Sequence, residues 1–250
     1  MFESTLPWGA PDLMRVSAFR RYLDDIQPEG DSTSGKLAAL SPSLMQDLQR
    51  FEGTRGLGEG LEVLEVLAAC VRHGCSLLLH LQENGRVLPL TVFPSERLVH
   101  CPVPMVQLFE SRLTELHVLH VEPALLRPPG HAVPARVGEP EHYAPLGPLL
   151  WELALRGARE ELLPEIAGSA AYRLAPGAEL RALNLSGSLA AAVDRLRRGT
   201  TNLREMSAWP GFDRARAMRL LNGLYLQASL MVTRTHPAAI SDSWSSGEPR

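Results

Sequence analysis

The sequence has few of the residue patterns that mark catalytic, metal-binding or disulfide-linked proteins. Its three cysteines, Cys70, Cys75 and Cys101, are odd in number and form no CxxC pair, which argues against a disulfide framework and a structural zinc site. No GxSxG motif or phosphate-binding GK[ST] sequence is present, so common signatures of acyl transfer and nucleotide binding are absent. We therefore expect reduced thiols, no metal, no cofactor and no enzyme activity.

Lysine is nearly absent, because Lys36 is the only one and the other basic residues are all arginine. Together with abundant Ala, Leu, Gly and Pro, this bias is typical of a GC-rich bacterial genome. The net charge of -3 gives no overall attraction to nucleic acid or anionic lipid. The N-terminus has no basic stretch followed by an apolar core, and no apolar run approaches the ~18 residues of a membrane span. We expect a cytoplasmic protein without membrane contact.

Four histidines, His80, His100, His117 and His120, lie in or beside predicted strands. A metal site would require three or four of them to converge. His117 and His120 are three positions apart, so in a regular strand they would point to opposite faces of a sheet. We therefore interpret these histidines as partly buried side chains without a metal.

A β-hairpin is the clearest local signal in the N-terminal half. The β-rich runs SLLLHLQ and RVLPLTVF flank Asn84-Gly85, and this dipeptide favours a type I′ turn because both central residues need positive φ. Pro89 has no backbone N–H to donate to a neighbouring strand, so we expect one side of its strand to be unpaired there. Further elements are predicted as helices at 61–73 and 103–110 and strands at 97–101 and 115–121.

These signals predict an α+β fold with two domains. A small α/β domain containing the hairpin sheet covers 61–127, and a mostly helical, winged-helix-like domain covers 149–236. Six prolines between 128 and 148 predict an extended linker between them. The remaining segments are an N-terminal extension with short helices at 1–60 and a disordered tail at 237–250.

The C-terminal domain is predicted to begin with a helix over 149–163 and a connecting segment over 164–185. The helices that follow carry several boundary signals. Ser188 is placed to cap a helix over 189–198, and Asn202 with Glu205 has the spacing of a capping box. Asp213 is placed to cap a longer helix that reaches about Leu230. The predicted order of elements is that of a winged-helix-type fold. It consists of a helix, a short helix, a tight turn, a longer helix and a strand at 231–235.

The segment GTTNLREMSAWPGFDRARAMRLLNGLYLQASLM, residues 199–231, resembles the C-terminal part of bacterial PATAN-type regulatory proteins. In that family, such a segment forms a degenerate winged helix. The resemblance implies a signalling adaptor that binds other proteins and has no catalytic activity of its own.

Local charge gives this region a candidate site. Residues 181–236 contain nine arginines against three acidic residues, and such clustering is the electrostatic footprint of a nucleic-acid binder. Arg214, Arg216 and Arg219 lie in the first turns of the long helix, where a recognition helix touches bases. Arg216, Arg219 and Gln227 are predicted to face away from its apolar stripe. However, Leu and Ala dominate the helix. It has few of the Asn, Gln, Ser and Thr residues with which DNA-binding helices usually contact bases.

We therefore expect a non-enzymatic regulatory or adaptor protein that acts through protein–protein interaction. The working surface would be the outer face of the 213–230 helix, or the free edge beside Pro89, where strand addition or a homodimer could form. The alternative is a DNA-binding transcriptional regulator that uses the same helix.

Overall fold

The computed structural model describes residues 13–26, 41–54 and 61–239. With 43% helix and 21% strand, the fold belongs to the α+β class, as predicted. Contacts divide the chain into two compact units, Met1–Leu149 and Leu150–Arg250. Within the described ranges, no helix is both long and apolar enough to cross a membrane. The predictions for 240–250 and for parts of 1–60 fall outside the described residues.

The first unit is built on a six-stranded antiparallel sheet. Its strands are β1 (Leu61–Glu62), β2 (Leu77–Glu83), β3 (Arg86–Phe93), β4 (Leu98–His100), β5 (His117–Pro123) and β6 (Tyr143–Pro145). They are arranged in the order β1-β5-β2-β3-β4-β6. Its described helices are α1 (Val16–Ile26), α2 (Pro42–Thr54), α3 (Val63–His73) and α4 (Met105–Glu110).

The predicted hairpin is confirmed. β2 and β3 pair antiparallel from Leu77↔Val92 to Glu83↔Arg86. Asn84 and Gly85 connect them with φ values of 48° and 74°, which are the positive values that a two-residue type I′ turn requires. The hairpin lies at the centre of the sheet, where Leu79, Leu88 and Leu90 are fully buried.

The side of β3 that carries Pro89 is less open than predicted. Along β3, alternate N–H groups face away from β2, and the Val87 N–H donates to the Met14 carbonyl at 2.8 Å. Further along, Thr91 begins the pairing with β4. Pro89 therefore occupies the short gap between these two partners, where no described residue needs a donor. A strand-addition edge of useful length is not present beside it.

The prediction that His117 and His120 face opposite sides of the sheet is wrong. β5 pairs His120 with His80 and His117 with Gln82, and the register shifts between these pairs. The extra residue is Leu119, which makes a β-bulge and reverses the alternation of side chains. Both histidines therefore lie on the face opposite to Leu79 and Leu81.

The proline-rich segment 128–148 is not an extended linker without regular structure. Its residues Tyr143–Pro145 form β6, which pairs with β4 at the edge of the sheet. The Tyr143 hydroxyl donates to the Arg127 carbonyl at 2.6 Å and accepts the Gly138 N–H at 3.0 Å. Proline is tolerated in β6 because the strand lies at the edge and Pro145 is its last residue. The segment is thus held to the first unit by both backbone and side-chain bonds.

The face of the sheet that carries His80 is covered by α1. Phe19 of α1 is 5% exposed and its ring lies 4.7 Å from the His80 ring, which in turn lies 5.8 Å from the His120 ring. Burial, with a smaller contribution from the charge of His120, lowers the pKa of His80 to about 4. His80 is therefore neutral in the folded protein at physiological pH.

This burial predicts that the first unit loses stability in mild acid. Because the folded pKa of His80 is below its unfolded value of 6.5, the unfolded chain binds more protons, and stability falls as pH decreases from 6.5 to about 4. Burial lowers the pKa of His100 as well, so it adds to the same trend. Urea unfolding at several pH values should show a weaker decline in the His80→Gln variant. Equal declines in both proteins would contradict this account.

The second unit contains four helices and a two-stranded sheet among its described residues. The elements are α5 (Leu146–Arg156, which begins before the unit boundary), β7 (Ala171–Leu174), α6 (Gly187–Arg198), α7 (Leu203–Ser207), α8 (Arg214–Leu226) and β8 (Leu230–Thr233). β7 and β8 pair antiparallel. Tyr172 of β7 also exchanges two backbone hydrogen bonds with Thr201, at 2.7 and 3.0 Å.

Two local predictions for this unit are corrected. The first helix begins at Leu146 and ends at Arg156, not at 149 and 163, because Pro148 is tolerated in a first turn and Gly157 follows the last helical residue. The segment 164–185, predicted as a connection, contains β7. Its partner β8 is about sixty residues away in sequence, so no short window of sequence reveals the pairing.

The long helix α8 is the central helix of the unit. Seven of its thirteen residues are buried. Fully buried Asn222 accepts the Leu163 N–H at 2.9 Å and donates to the Glu161 carbonyl at 2.8 Å. At Gly223, an added Cβ would lie 3.0 Å from the Trp151 ring. Glycine thus allows α5 and α8 to approach closely at this point.

Candidate functional site

The helix boundaries around the candidate site follow the predicted capping residues in two of three cases. The Asn202 side chain accepts the Glu205 N–H at 2.9 Å, and the Asp213 side chain accepts the Arg216 N–H at 2.7 Å. The third helix, α6, begins at Gly187, one residue before the predicted cap Ser188, and Ser186 at its N-cap makes no side-chain bond. α7 and α8 therefore each begin at a side-chain cap, and Asp213 marks the end of the turn between them.

Two aromatic side chains of this turn are each covered by an arginine. The Arg195 guanidinium lies 5.3 Å from the Trp209 ring centre, and the Arg216 guanidinium lies 5.4 Å from that of Phe212. The two rings meet edge to face, with centres 6.3 Å apart. We name these four residues the arginine–aromatic patch. Both arginines are exposed, whereas both rings are partly exposed.

The sequence identified only one member of this patch. Arg216 was predicted, but Arg195, Trp209 and Phe212 were not. The sequence contains part of this signal, because Trp209 and Phe212 flank the Pro210-Gly211 turn. Aromatic residues in such a turn must pack against side chains from elsewhere in the chain. Arg195 lies on α6, so its place over Trp209 depends on tertiary packing that the sequence pattern does not show.

Arg219 does not face solvent as predicted. Its side chain is 23% exposed and donates to the Leu155 carbonyl at 3.1 Å and to Glu160 at 3.4 Å. Leu155 is in the last turn of α5, where carbonyl groups have no partner within the helix. Arg219 therefore holds α8 to α5 through its two terminal guanidinium nitrogens.

The other predicted residues occupy the two ends of α8. Arg214 is exposed in the first turn. Gln227 follows the last helical residue, and its carbonyl accepts the Ser229 hydroxyl at 3.2 Å. The predicted helix reached about Leu230, but α8 ends at Leu226, and Ala228 is exposed and has a φ of 53°. The structure thus separates Gln227 from the arginines instead of bringing the four predicted residues together.

A cleft of about 690 Å³ lies beside the patch and shares Arg216 with it. The Nε1 of Trp151 and the Nε of Arg219 are buried and have no hydrogen-bond partner among the described residues. Each acidic group of the cleft has a partner, since Glu152 pairs with Arg156 at 2.9 Å, Glu160 pairs with Arg219 at 3.4 Å and Asp213 caps α8. The two buried N–H groups are therefore donors that an added acceptor would satisfy. The other lining residues of the cleft are Leu155, Asn184, Ser186, Leu189 and Ala215.

A group of side chains that could bind a metal lies apart from the four histidines discussed in the sequence analysis. Glu139, Glu141 and His142, in the first unit, offer ligand atoms within 4.8 Å of one another. Both carboxylates are exposed, and such groups are usually solvated without an ion. The His142 ring lies 5.5 Å from that of His100, so one of the histidines considered in the sequence is close to this group.

Comparison with known protein families, curated proteins and solved structures finds no match for this chain. The resemblance of residues 199–231 to PATAN-type regulatory proteins therefore stays a prediction.

The position of Arg219 predicts a structural effect that an exposed arginine should not share. Arg219→Ala removes the donor to Leu155 and should lower the free energy of unfolding by about 1–2 kcal/mol. The matched variant Arg204→Ala, at an exposed site on α7, should change it by less than about 0.5 kcal/mol. Urea unfolding measures both, and equal effects would show that Arg219 is not held as described.

Proposed function

We propose that this chain is a regulatory or adaptor protein whose second unit binds an acidic segment of a partner protein through the arginine–aromatic patch. The observation that carries the proposal is the pair of adjacent arginine–aromatic stacks at the surface. The unit acts by binding, and the expectation of a protein partner follows the resemblance to PATAN-type adaptors.

The composition of the patch supports a protein partner. Tryptophan, other aromatic residues and arginine are enriched in protein interfaces, and tryptophan and arginine dominate their binding hot spots. The rings of Trp209 and Phe212 provide apolar area, whereas Arg195 and Arg216 provide directed donors. Because the side chains already stack on one another, a partner meets a partly ordered surface and loses less conformational entropy on binding.

The charge around the patch supports an acidic partner. Arg198, the last residue of α6, and Arg204, the second residue of α7, are also exposed. In the neighbouring cleft, the buried donors of Trp151 and Arg219 have no acceptor among the described residues, and an unsatisfied buried donor costs about 1–3 kcal/mol. A carboxylate of the partner would provide acceptors for these donors. Acidic side chains therefore suit both the patch and the cleft.

DNA binding through α8 remains the alternative, and the exposed Arg214 and Arg216 favour it. Arginines at the start of a helix suit phosphate contacts. However, a recognition helix must insert into the major groove, and α8 is buried along most of its length. Only its first turn offers exposed basic residues. This surface therefore supports DNA binding through phosphate contacts, without contacts to the bases.

Binding to a labelled acidic peptide of twenty residues, measured by fluorescence anisotropy, tests the proposal. We expect Trp209→Ala to weaken binding about tenfold or more, because it removes the largest apolar surface of the patch. Arg216→Ala should weaken it in the same direction. Arg181→Ala is the matched control, since Arg181 is exposed and borders a different pocket, and it should have little effect.

The same titration with a mixed-sequence DNA duplex distinguishes the alternative. Binding of DNA that weakens steeply with salt, and that Arg216→Ala weakens while Arg181→Ala does not, would favour the DNA-binding function through α8. No binding of the peptide by the wild-type protein, or equal loss in the Arg181→Ala and Trp209→Ala variants, would contradict the proposed protein interaction.

A further inference from the structure

Three side chains of the first unit are arranged as a nucleophile, a base and a carboxylate that orients the base. The Ser43 hydroxyl lies 3.3 Å from Nδ1 of His73, and Nε2 of His73 lies 2.7 Å from a carboxylate oxygen of Asp47. A nucleophile within reach of a base that a third group holds is the geometric signature of nucleophilic catalysis. No sequence motif contains these residues, so the sequence alone does not reveal them.

The two helices explain how the residues meet. Ser43 and Asp47 lie four positions apart in the first turns of α2, so they share one face of that helix. His73 is the last residue of α3, which Gly74 ends in the left-handed conformation with a φ of 62°. The imidazole ring therefore spans one turn of α2, with one nitrogen at each residue.

Asp47 determines which nitrogen of His73 carries the proton. Burial of the carboxyl opposes ionisation, but the hydrogen bond from His73 and the charge of Arg72 hold the pKa of Asp47 below its ordinary value. The ionised carboxylate accepts the Nε2–H of His73. The lone pair of Nδ1 then faces the Ser43 hydroxyl and can accept its proton. The two nitrogens exchange the roles that they have in the serine protease triad, but the proton transfer is the same.

The start of α2 provides a donor for the charge that develops during acyl transfer. The Ser41 hydroxyl caps the Leu44 N–H at 3.3 Å, and Pro42 has no N–H. The Ser43 N–H has no acceptor among the described residues. It lies at the positive end of the helix, where developing negative charge is stabilised. Ser43 is exposed, so an acyl group can approach it from solvent.

We propose that Ser43 is an acyl-accepting nucleophile and that the first unit hydrolyses small carboxylic esters there. The Ser43 oxygen forms a bond to the carbonyl carbon as its proton moves to His73, and the carbonyl oxygen becomes an oxyanion near the Ser43 N–H. The bond to the leaving alkoxide breaks, and the alkoxide takes the proton from His73. Water then attacks the acyl-serine in the same way, releasing the carboxylic acid and restoring Ser43.

This site lies in the first unit and is independent of the proposed function, which concerns the second unit. Its test uses the full chain and an alkyl fluorophosphonate, which reacts with activated serines and loses fluoride. We expect an adduct on Ser43, identified by mass spectrometry, and hydrolysis of p-nitrophenyl acetate that Ser43→Ala abolishes. His73→Gln and Asp47→Asn should each slow adduct formation by about 100-fold, because general base assistance is lost.

His131→Gln is the matched control for His73→Gln. His131 is an exposed histidine of the first unit and is not one of the three residues of the site, so its replacement should change adduct formation by less than about threefold. Urea unfolding of each variant confirms that the first unit is folded. No adduct on Ser43 in the wild-type protein would overturn the proposal. So would equal rates in the wild-type and His73→Gln proteins, or a His131→Gln effect as large as that of His73→Gln.

Discussion

The close approach of α5 and α8 is the contact on which the second unit depends. Gly223 has no side chain, so the Trp151 ring packs directly against the backbone of α8. One turn earlier on α8, Arg219 donates to the carbonyl of Leu155, which lies one turn later on α5. The two helices therefore run in opposite directions through these contacts. Next to them, Asn222 satisfies backbone groups of the segment that follows α5, so this connection is held without regular structure of its own.

This packing decides which residues are available to a partner. Beyond the first turn of α8, the residues that are not buried are Met218, Arg219 and Tyr225, and each is only partly exposed. The helix therefore presents no long polar face to a DNA groove. Its first turn, together with the capped turn before it, is the part that reaches the surface. That is where Phe212 and Arg216 stack, next to Trp209 and its own arginine. The proposed binding surface is thus the end of the central helix rather than its side.

Local signals in the sequence predicted most of the elements but not the contacts between them. Asn84-Gly85, Asn202 and Asp213 were informative because each acts on the backbone within three residues of itself. β7 was missed because its partner is distant, and the bulge at Leu119 was missed because it depends on pairing with β2. The prolines at 128–148 predicted a linker. In the structure, Pro145 ends an edge strand, and the Tyr143 hydroxyl bonds to Gly138 within the segment and to Arg127 before it.

The candidate site shows the same division. Arg214 and Arg216 were found because charge clustering is a property of sequence. Arg219 was misplaced because a helical pattern does not show that a carbonyl of another helix lies within its reach. The aromatic partners, and the neighbouring positions of Ser43, His73 and Asp47, depend on side chains from separate helices or turns. Nothing short of tertiary structure brings them together.

Hydrogen exchange of the backbone amides along α8 tests the central position of this helix most directly. If α8 is the core of its unit, the amides of Leu220 to Leu224 should exchange only through unfolding of the whole unit and should be among the slowest in the second unit. Amides in the middle of α8 that exchange as fast as those of its first turn would contradict this account, because the helix would then open independently of the contacts with α5.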